Sequence, residues 1–235
     1  TVDDISFVTD TGRVYTCKVS AIPGGRGDGL PVTSFFDLDK GMKRFVGVFA
    51  GREKEDVVRG TSDGLGLKCT IGDLKASQRI GRTFVRMADG VTLMPPAEGC
   101  AEMPLIACLT EKGRLVIFAH DEIRRLSNGG MGVSLVKLES GERMIGMTLV
   151  DERGLTASGT GRGGKPREVQ ITRKSFEEFR MQRARKGRQI GVTWTVESIA
   201  PITPVKPENE GEGSSGAGSA GGLTIQLEDE NPRLI

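Results

Sequence analysis

The stretch that decides the fold is Leu105 to Met131, LIACLTEKGRLVIFAHDEIRRLSNGGM. It sets an apolar run (Leu105, Ile106, Cys108, Leu109) against a second (Leu115, Val116, Ile117, Phe118) across the polar turn Thr110-Glu111-Lys112-Gly113. Two β-type runs about a glycine-containing turn predict a hairpin. A short acidic turn ending at Ile123 and a basic, glycine-rich loop follow. The same order recurs from Phe7 (FVTDTGRVYTCKVSAIPGGRGDG) and from Val57 (VVRGTSDGLGLKCTIGDLKASQRIG). The turn glycines Gly12, Gly64 and Gly113 stand 52 and 49 residues apart. Each is followed ten positions on by an aliphatic residue (Ile22, Leu74, Ile123) and seven beyond that by a glycine (Gly29, Gly81, Gly130). A fourth, degenerate copy runs from Leu155 to Gly187. Strand-built repeats of about 50 residues mark the blades of a propeller-like array, so the expected class is all-β with at least four blades.

Several motifs are specific once taken in order: Asp63-Gly64-Leu65-Gly66 with Cys69 and Asp73-Leu74; Val91 to Pro96 (VTLMPP); Gly113-Arg114 to Phe118; and the closing Gly187-Arg188-Gln189-Ile190-Gly191. Over roughly Asp4 to Ile199 the set resembles the C-terminal domain of bacterial type IIA topoisomerase A subunits, nearer to topoisomerase IV than to gyrase A. The resemblance implies a β-pinwheel of four-stranded blades that binds duplex DNA without catalysis of its own. It implies a parent that is an ATP-dependent isomerase acting in decatenation and chromosome segregation. That parent would cleave DNA through a tyrosine upstream of this chain, dimerise through its A subunit, partner a B subunit, and use magnesium and ATP. No cofactor is expected in this stretch. Tyr15 lies in a blade strand and is not that tyrosine, and a further blade would precede Asp4. The Gln- and Gly-rich basic box of gyrase A has no match here, so strong wrapping is not expected. A cytoplasmic, nucleoid-associated protein is implied, with peripheral inner-membrane association.

With 37% hydrophobic residues in 235, the chain is long enough to bury a core. No apolar run reaches membrane-spanning length and no leader pattern opens the chain, so a soluble protein is expected. Thr1 directly before strand-like residues reads as a piece of a longer protein. Four cysteines without a C-x-x-C pair and a single histidine do not make a zinc site. Cys69 and Cys108 read as small buried hydrophobes and His120 as a solvated turn residue.

Charge is distributed unevenly. The body, residues 1–200, is the expected β-pinwheel domain, and residues 201–235 form a Pro-containing, Gly/Ser-rich acidic tail. Two basic and six acidic side chains leave that tail at −4. Between Arg162 and Arg188, ten basic side chains face three acidic ones, +7, which accounts for the whole excess of the body. Ser175 to Arg185 reads as a short helix with Ser175 and Glu178 as a capping box, Phe176 and Phe179 facing the core, and Gly187 as its left-handed end. A basic run is most often only a solvated face. Here loops at equivalent repeat positions are basic too, and in an array such loops share one perimeter, a track for phosphates. The candidate DNA contacts are therefore Arg26; Lys75, Arg79 and Arg82; Arg124 and Arg125; and Arg162, Lys165, Arg173, Lys174, Arg180, Arg183, Arg185, Lys186 and Arg188. No base-reading element is present, so shape and charge would be recognised rather than sequence.

Gly159 to Lys165 (GTGRGGK) matches the start of a phosphate-binding loop, but the next residue, which must carry a hydroxyl and open a helix, is Pro166. A basic turn is the better reading, and a stand-alone enzyme rests on nothing else. A propeller-like protein-interaction scaffold is the alternative, supported by the near-neutral body outside the basic segment. Val32 to Phe36 is expected as an outer strand, with Thr83 to Met87, Val91 to Leu93 and Val133 to Leu138 as further strands. Trp194 to Ile199 closes the last blade. In the tail, Leu223 to Leu227 (LTIQL) alternates apolar and polar, suiting either a sheet edge or a free segment. The acidic Glu228-Asp229-Glu230 would compete with phosphates for the basic segment, or serve only solubility.

Overall fold

The structure, a computed structural model, describes residues 4–24, 29–99 and 102–203, and the backbone of 233–234. Repeat 1 supplies β1 (Asp4–Thr9), β2 (Arg13–Lys18), β3 (Leu30–Pro31) and β4 (Phe45–Ala50); repeat 2 supplies β5 (Asp56–Gly60), β6 (Leu65–Thr70) and β7 (Arg82–Thr83). Repeat 3 supplies β8 (Leu105–Thr110), β9 (Arg114–Ala119), β10 (Val133–Ser134) and β11 (Met144–Val150). Repeat 4 supplies β12 (Leu155–Thr160), β13 (Pro166–Ile171), the helix α1 (Arg173–Glu177), β14 (Arg188–Gln189) and β15 (Thr195–Pro201), and β16 (Arg233–Leu234) follows.

The first three hairpins turn on one device. The N–H of Gly12, Gly64 and Gly113 donates to the carbonyl of Thr9, Thr61 and Thr110 at 2.9 to 3.0 Å. The buried hydroxyls of Thr9 and Thr110 then accept from the N–H of Arg13 and Arg114 at 3.1 and 3.3 Å. A threonine three residues before a glycine thus satisfies the turn's own backbone, and the glycine supplies the left-handed conformation the turn demands.

A hairpin leaves the outer edge of its second strand bare, and the next repeat covers it. The sheets run β4-β1-β2-β7, β10-β6-β5, β11-β8-β9-β14 and β13-β12-β15. So β7, β10 and β14 each lie on the blade of the preceding repeat, and Thr61 bridges to Leu93 at the inner side of blade 2. The loop before each exchanged strand runs along the same edge. Lys68 N–H donates to the Arg124 carbonyl (3.1 Å), Leu126 N–H to Lys68 (2.8 Å), Ile117 N–H to Phe179 and Met181 N–H to Ile117 (both 2.9 Å). Immediately before each exchanged strand stands a glycine at positive φ, Gly81 (+64°), Gly132 (+83°) and Gly187 (+80°), and Gly29 (+67°) holds the same place before β3. A Cβ would lie 2.5 Å from the Val14 carbonyl oxygen at Gly81 and 2.2 Å from that of Gly66 at Gly132. Only glycine lets the two chains approach so closely.

Apolar side chains fill the spaces between blades. Val8, Val14, Leu67, Cys69 and Phe84 pack between blades 1 and 2; Val58, Cys108, Phe118 and Leu135 between 2 and 3. Leu109, Ile117, Leu155, Ala157, Phe176 and Phe179 pack between 3 and 4. On its other face blade 1 buries Phe7, Tyr15, Val32, Phe36 and Phe45, and the Tyr15 hydroxyl accepts from Asp39 N–H at 2.9 Å. The far face of blade 4 is polar, with Thr156 opposite Gln170 and Ser158 opposite Glu168, the finish expected of a capping repeat. Cys69 and Cys108 are buried as expected, and burial pushes both thiols up to about 12, so neither is a nucleophile. Arg59 is the exception to an apolar interior. It is 1% exposed, its three guanidinium nitrogens find no hydrogen-bond partner among the described residues, and Phe49 lies 5.6 Å away. Burial lowers it to about 10.

The structure corrects several expectations. Val32–Phe36 is not a strand: β3 ends at Pro31, and Val32–Ser34 is a 3-10 turn that tucks Val32 into the core. The strands expected at 83–87 and 133–138 shrink to two residues each, because only the exchange itself needs a ladder, and the one expected at 91–93 is reduced to the single bridge residue Leu93. The third repeat glycine is Gly132 rather than Gly130, repeat 3 carrying a longer loop. The helix expected over Ser175–Arg185 is α1, ending at Glu177, where the chain leaves to run along β9. Its cap is Thr172, whose N–H donates to Ser175 Oγ at 3.1 Å, and Gly187 closes no helix. The four-stranded blades expected are blades 1 and 3; among the described residues blades 2 and 4 show three strands, blade 2 with the Thr61–Leu93 bridge beside them. Phe176 and Phe179 are buried as read, whereas Leu223–Leu227 lies outside the described residues. No helix among them is long and apolar enough to cross a membrane.

Two stability measurements check these packing arguments. Gly132→Ala should cost about 2 kcal/mol or more in denaturant unfolding, from strain and overlap together, while Gly41→Ala, with no atom closer than 3.9 Å and no positive φ, should cost well under about 1 kcal/mol. Arg59→Met should leave the melting temperature unchanged or raise it, since it removes an uncompensated buried charge; a clear fall would mean the guanidinium is satisfied.

Candidate nucleic-acid interface

The segments that cover β2, β6 and β9 form the outer rim, and most of the predicted cations lie on them. Their side chains do not share one environment. Asp4 and Asp56 stand at the same place, eight residues before their turn glycines, and each draws a cation from the next repeat. Lys75 Nζ lies 3.2 Å from Asp4 and 2.6 Å from Glu53, and Arg125 Nη1 lies 3.3 Å from Asp56. Lys18 and Lys75 hold the Asp4 carboxyl below its ordinary range, and Glu53 and Asp4 raise Lys75. At the third interface the acid is replaced by Leu105, and Arg180 turns to Glu177 of its own repeat at 3.2 Å.

Other predicted cations are bound into the fold. Arg82 donates to the carbonyls of Asp73 and Lys75 and lies 4.8 Å from the Phe84 ring centre. Half-buried Arg183 donates to the Ser134 carbonyl, and its N–H to Glu122 at 3.1 Å. Lys186 pairs with Glu139, which also takes Lys112 at 2.7 Å and Arg114 at 3.3 Å. Buried Arg114 completes this junction with buried Glu142. Arg79 is exposed and donates to the Ser34 carbonyl at 3.0 Å.

Another group is unengaged. Among the described residues, the exposed side chains of Arg124, Arg162, Lys165, Arg173, Lys174 and Arg188 have no hydrogen-bond or ion-pair partner, and Arg185 meets only Gln182 at 3.1 Å. Arg124, Arg185 and Arg188 lie on the rim. Arg162 and Lys165 lie in the blade 4 hairpin turn and Arg173 and Lys174 on α1, at opposite ends of β13, about 20 Å apart at about 3.3 Å per residue. Arg26 falls outside the described residues. Two exposed cations beside these were not among the candidate contacts. Exposed Lys137 adjoins Arg185, its N–H donating to that residue's carbonyl at 3.0 Å, and exposed Arg167 adjoins the turn at Gly161. Both sit in or just after strands, where a reading of loops does not look. Lys68 Nζ, near His120 and 3.1 Å from Asp121, lowers the Asp121 carboxyl.

Comparison with known proteins follows the same lines. The sequence model of the family described as DNA gyrase C-terminal domain, beta-propeller, matches residues 3–41 and 105–151, most of repeat 1 and the whole of repeat 3. The A subunit of DNA topoisomerase 4 from Neisseria gonorrhoeae is 26% identical over 194 residues, 80% of this chain and 25% of that protein. Its Salmonella typhimurium counterpart is 28% identical over 142 residues, 60% of this chain and 19% of that protein. The chain thus spans about a quarter or less of these relatives. In fold it is similar to the Escherichia coli ParC C-terminal domain, with a TM-score of 0.74 at 19% identity, covering 84% of this chain and 80% of that one. It is also similar to a DNA gyrase A C-terminal domain, with a TM-score of 0.62 at 16% identity, covering 86% and 67%. The resemblance to the C-terminal domain of topoisomerase IV A subunits holds, and the fold is the β-pinwheel.

The Glu139 junction carries a pH signature. Lys112 and Lys186 lower its carboxyl to about 2, so the contact is complete above the ordinary carboxylate value of 4.5 and is lost as pH falls through about 2. Carboxyl NMR should give a Glu139 midpoint near 2 that rises in Lys112→Ala; a midpoint near 4.5 in the parent would mean the junction does not form in solution.

Proposed function

We propose, from this resemblance, that the chain is the non-catalytic duplex-DNA-binding part of a topoisomerase IV-like A subunit, holding or bending DNA and so influencing which topology is acted on. The observation that carries the reading is the set of exposed cations, Arg124, Arg185 and Arg188, that have no acidic partner among the described residues on the rim of this fold. An exposed guanidinium without an acid loses little on meeting a phosphate, whereas Lys75, Arg125 and Lys186 must first leave a carboxylate. The rim therefore recognises a duplex through few contacts, by charge and shape rather than by base sequence.

On this reading the parent is an ATP-dependent isomerase. Strand cleavage by a tyrosine, the A-subunit dimer, the B subunit, and the magnesium and ATP all belong to regions outside this chain. Its place is the bacterial cytoplasm, at the nucleoid.

Changing Arg124, Arg185 and Arg188 together to Ala should weaken binding to duplexes of any sequence and lower the salt slope by about 0.9 for each phosphate no longer neutralised. Lys75→Ala should lower thermal stability and leave the slope unchanged. Glu139→Gln, which frees Lys186 and Lys112, should tighten binding at low salt. A triple variant that stays folded with affinity and slope unchanged would exclude the rim as the DNA site, and salt-insensitive capture of a protein partner with no duplex binding would favour a scaffold.

A further inference from the structure

The covering loops keep one geometry at all three interfaces. The N–H of Asp37, Arg86 and Lys137 donates to the carbonyl of Arg79, Gly130 and Arg185 respectively, each at 3.0 Å. Next in the chain stand Ile80, Met131 and Lys186, each followed by a left-handed glycine, Gly81, Gly132 or Gly187. These three residues therefore hold one place on the rim, just before the exchanged strand. At the third interface the occupant is a cation. At the first two it is a large apolar side chain left in water. Ile80 and Met131, each 53% exposed, are the most exposed of the four large hydrophobics that stand open among the described residues. A lone exposed apolar residue needs no explanation, but the same place exposed in two successive repeats does.

Both tips are planted on hydrogen-bonded backbone. Arg13 Nη2 donates to the Ile80 carbonyl at 2.6 Å and to that of Gly81 at 3.2 Å. The loop at Met131 is held by Gly130 N–H on the Phe84 carbonyl at 2.8 Å, beside the Arg86 contact. Each tip adjoins an exposed arginine, Arg79 before Ile80 in the chain and Arg86 across from Gly130. A wedge into stacked bases needs these parts together: a cation to hold the phosphates, a fixed backbone, and an apolar side chain that exchanges water for the faces of the bases. We propose that Ile80 and Met131 are apolar wedges that enter the minor groove of the bound duplex, part a base step each, and kink it. This rests on the duplex binding proposed above. A minor-groove wedge bends DNA toward the major groove and so away from itself. The rim then grips the duplex at the third interface, where Lys137, Arg185 and Arg188 lie, and deflects it at the other two. Every base step has faces to part, so the kink reads no base edge.

The test uses the full chain and a mixed-sequence duplex of about 40 base pairs, well below the persistence length of about 150 and so straight when free. The duplex carries a fluorescent donor and acceptor at its ends and 2-aminopurine in place of adenine. The parent should shorten the end-to-end distance and raise the 2-aminopurine emission, which reports unstacking. Ile80→Gln with Met131→Gln should abolish both signals, weaken binding roughly ten-fold and leave the salt slope unchanged, since apolar burial is lost and no phosphate contact is. Ile80→Leu with Met131→Leu should keep both signals, and all three proteins should melt alike. A folded glutamine variant that still bends and unstacks the duplex would overturn the wedge. Salt-dependent binding by the parent without either signal would overturn it too and leave the proposed function standing, whereas no duplex binding at all would remove both. A glutamine variant that differs only in separating a self-associated parent would make the tips a contact between copies, again overturning the wedge.

Discussion

The second strand of a blade hairpin has an outer edge of unpaired N–H and carbonyl groups, and covering that edge in blades 1 to 3 with the chain of the next repeat is the constraint on which this structure depends. Buried backbone groups left bare would each cost on the order of a hydrogen bond. The next repeat meets the need with a loop that follows β2, β6 or β9 and a two-residue strand that pairs at its start. The close approach fixes the glycines Gly81, Gly132 and Gly187. It also explains why the repeat motif ends in glycine rather than in a long strand.

The exchange decides the electrostatics as well. Because the covering loop lies beside the preceding blade, a cation at its start meets the acid that opens that blade. Lys75 with Asp4 and Arg125 with Asp56 are one contact repeated. Charges spent in this way hold blades together. What remains for a polyanion is the subset without a carboxylate, concentrated in repeat 4 and at Arg124, and the near-neutral overall composition conceals it.

The hairpins were legible in the sequence because Thr-x-x-Gly between apolar runs acts through neighbouring residues. The exchanged strands were not, since two residues carry no periodicity. The division of the cations was equally hidden: Lys75 and Asp4 lie 71 residues apart, and only the fold brings them to 3.2 Å. The end of α1 was misplaced for a related reason. Local capping signals favoured a helix to Arg185, but the bare edge of β9 took the chain instead, with Ile117 bonding to Phe179 and Met181 on either side. The resemblance carried the proposed function further than the residues did, and the structure separates the cations that pair with carboxylates from those that do not.

The central claim is that this rim recognises duplex DNA by charge and shape alone. The most direct measurement is the affinity of the full chain for two duplexes of equal length and unrelated sequence, from about 50 mM to about 200 mM salt. The account predicts equal affinities at every salt concentration and one steep, common slope of log K against log salt. A flat slope, or a persistent preference for one sequence, would contradict it.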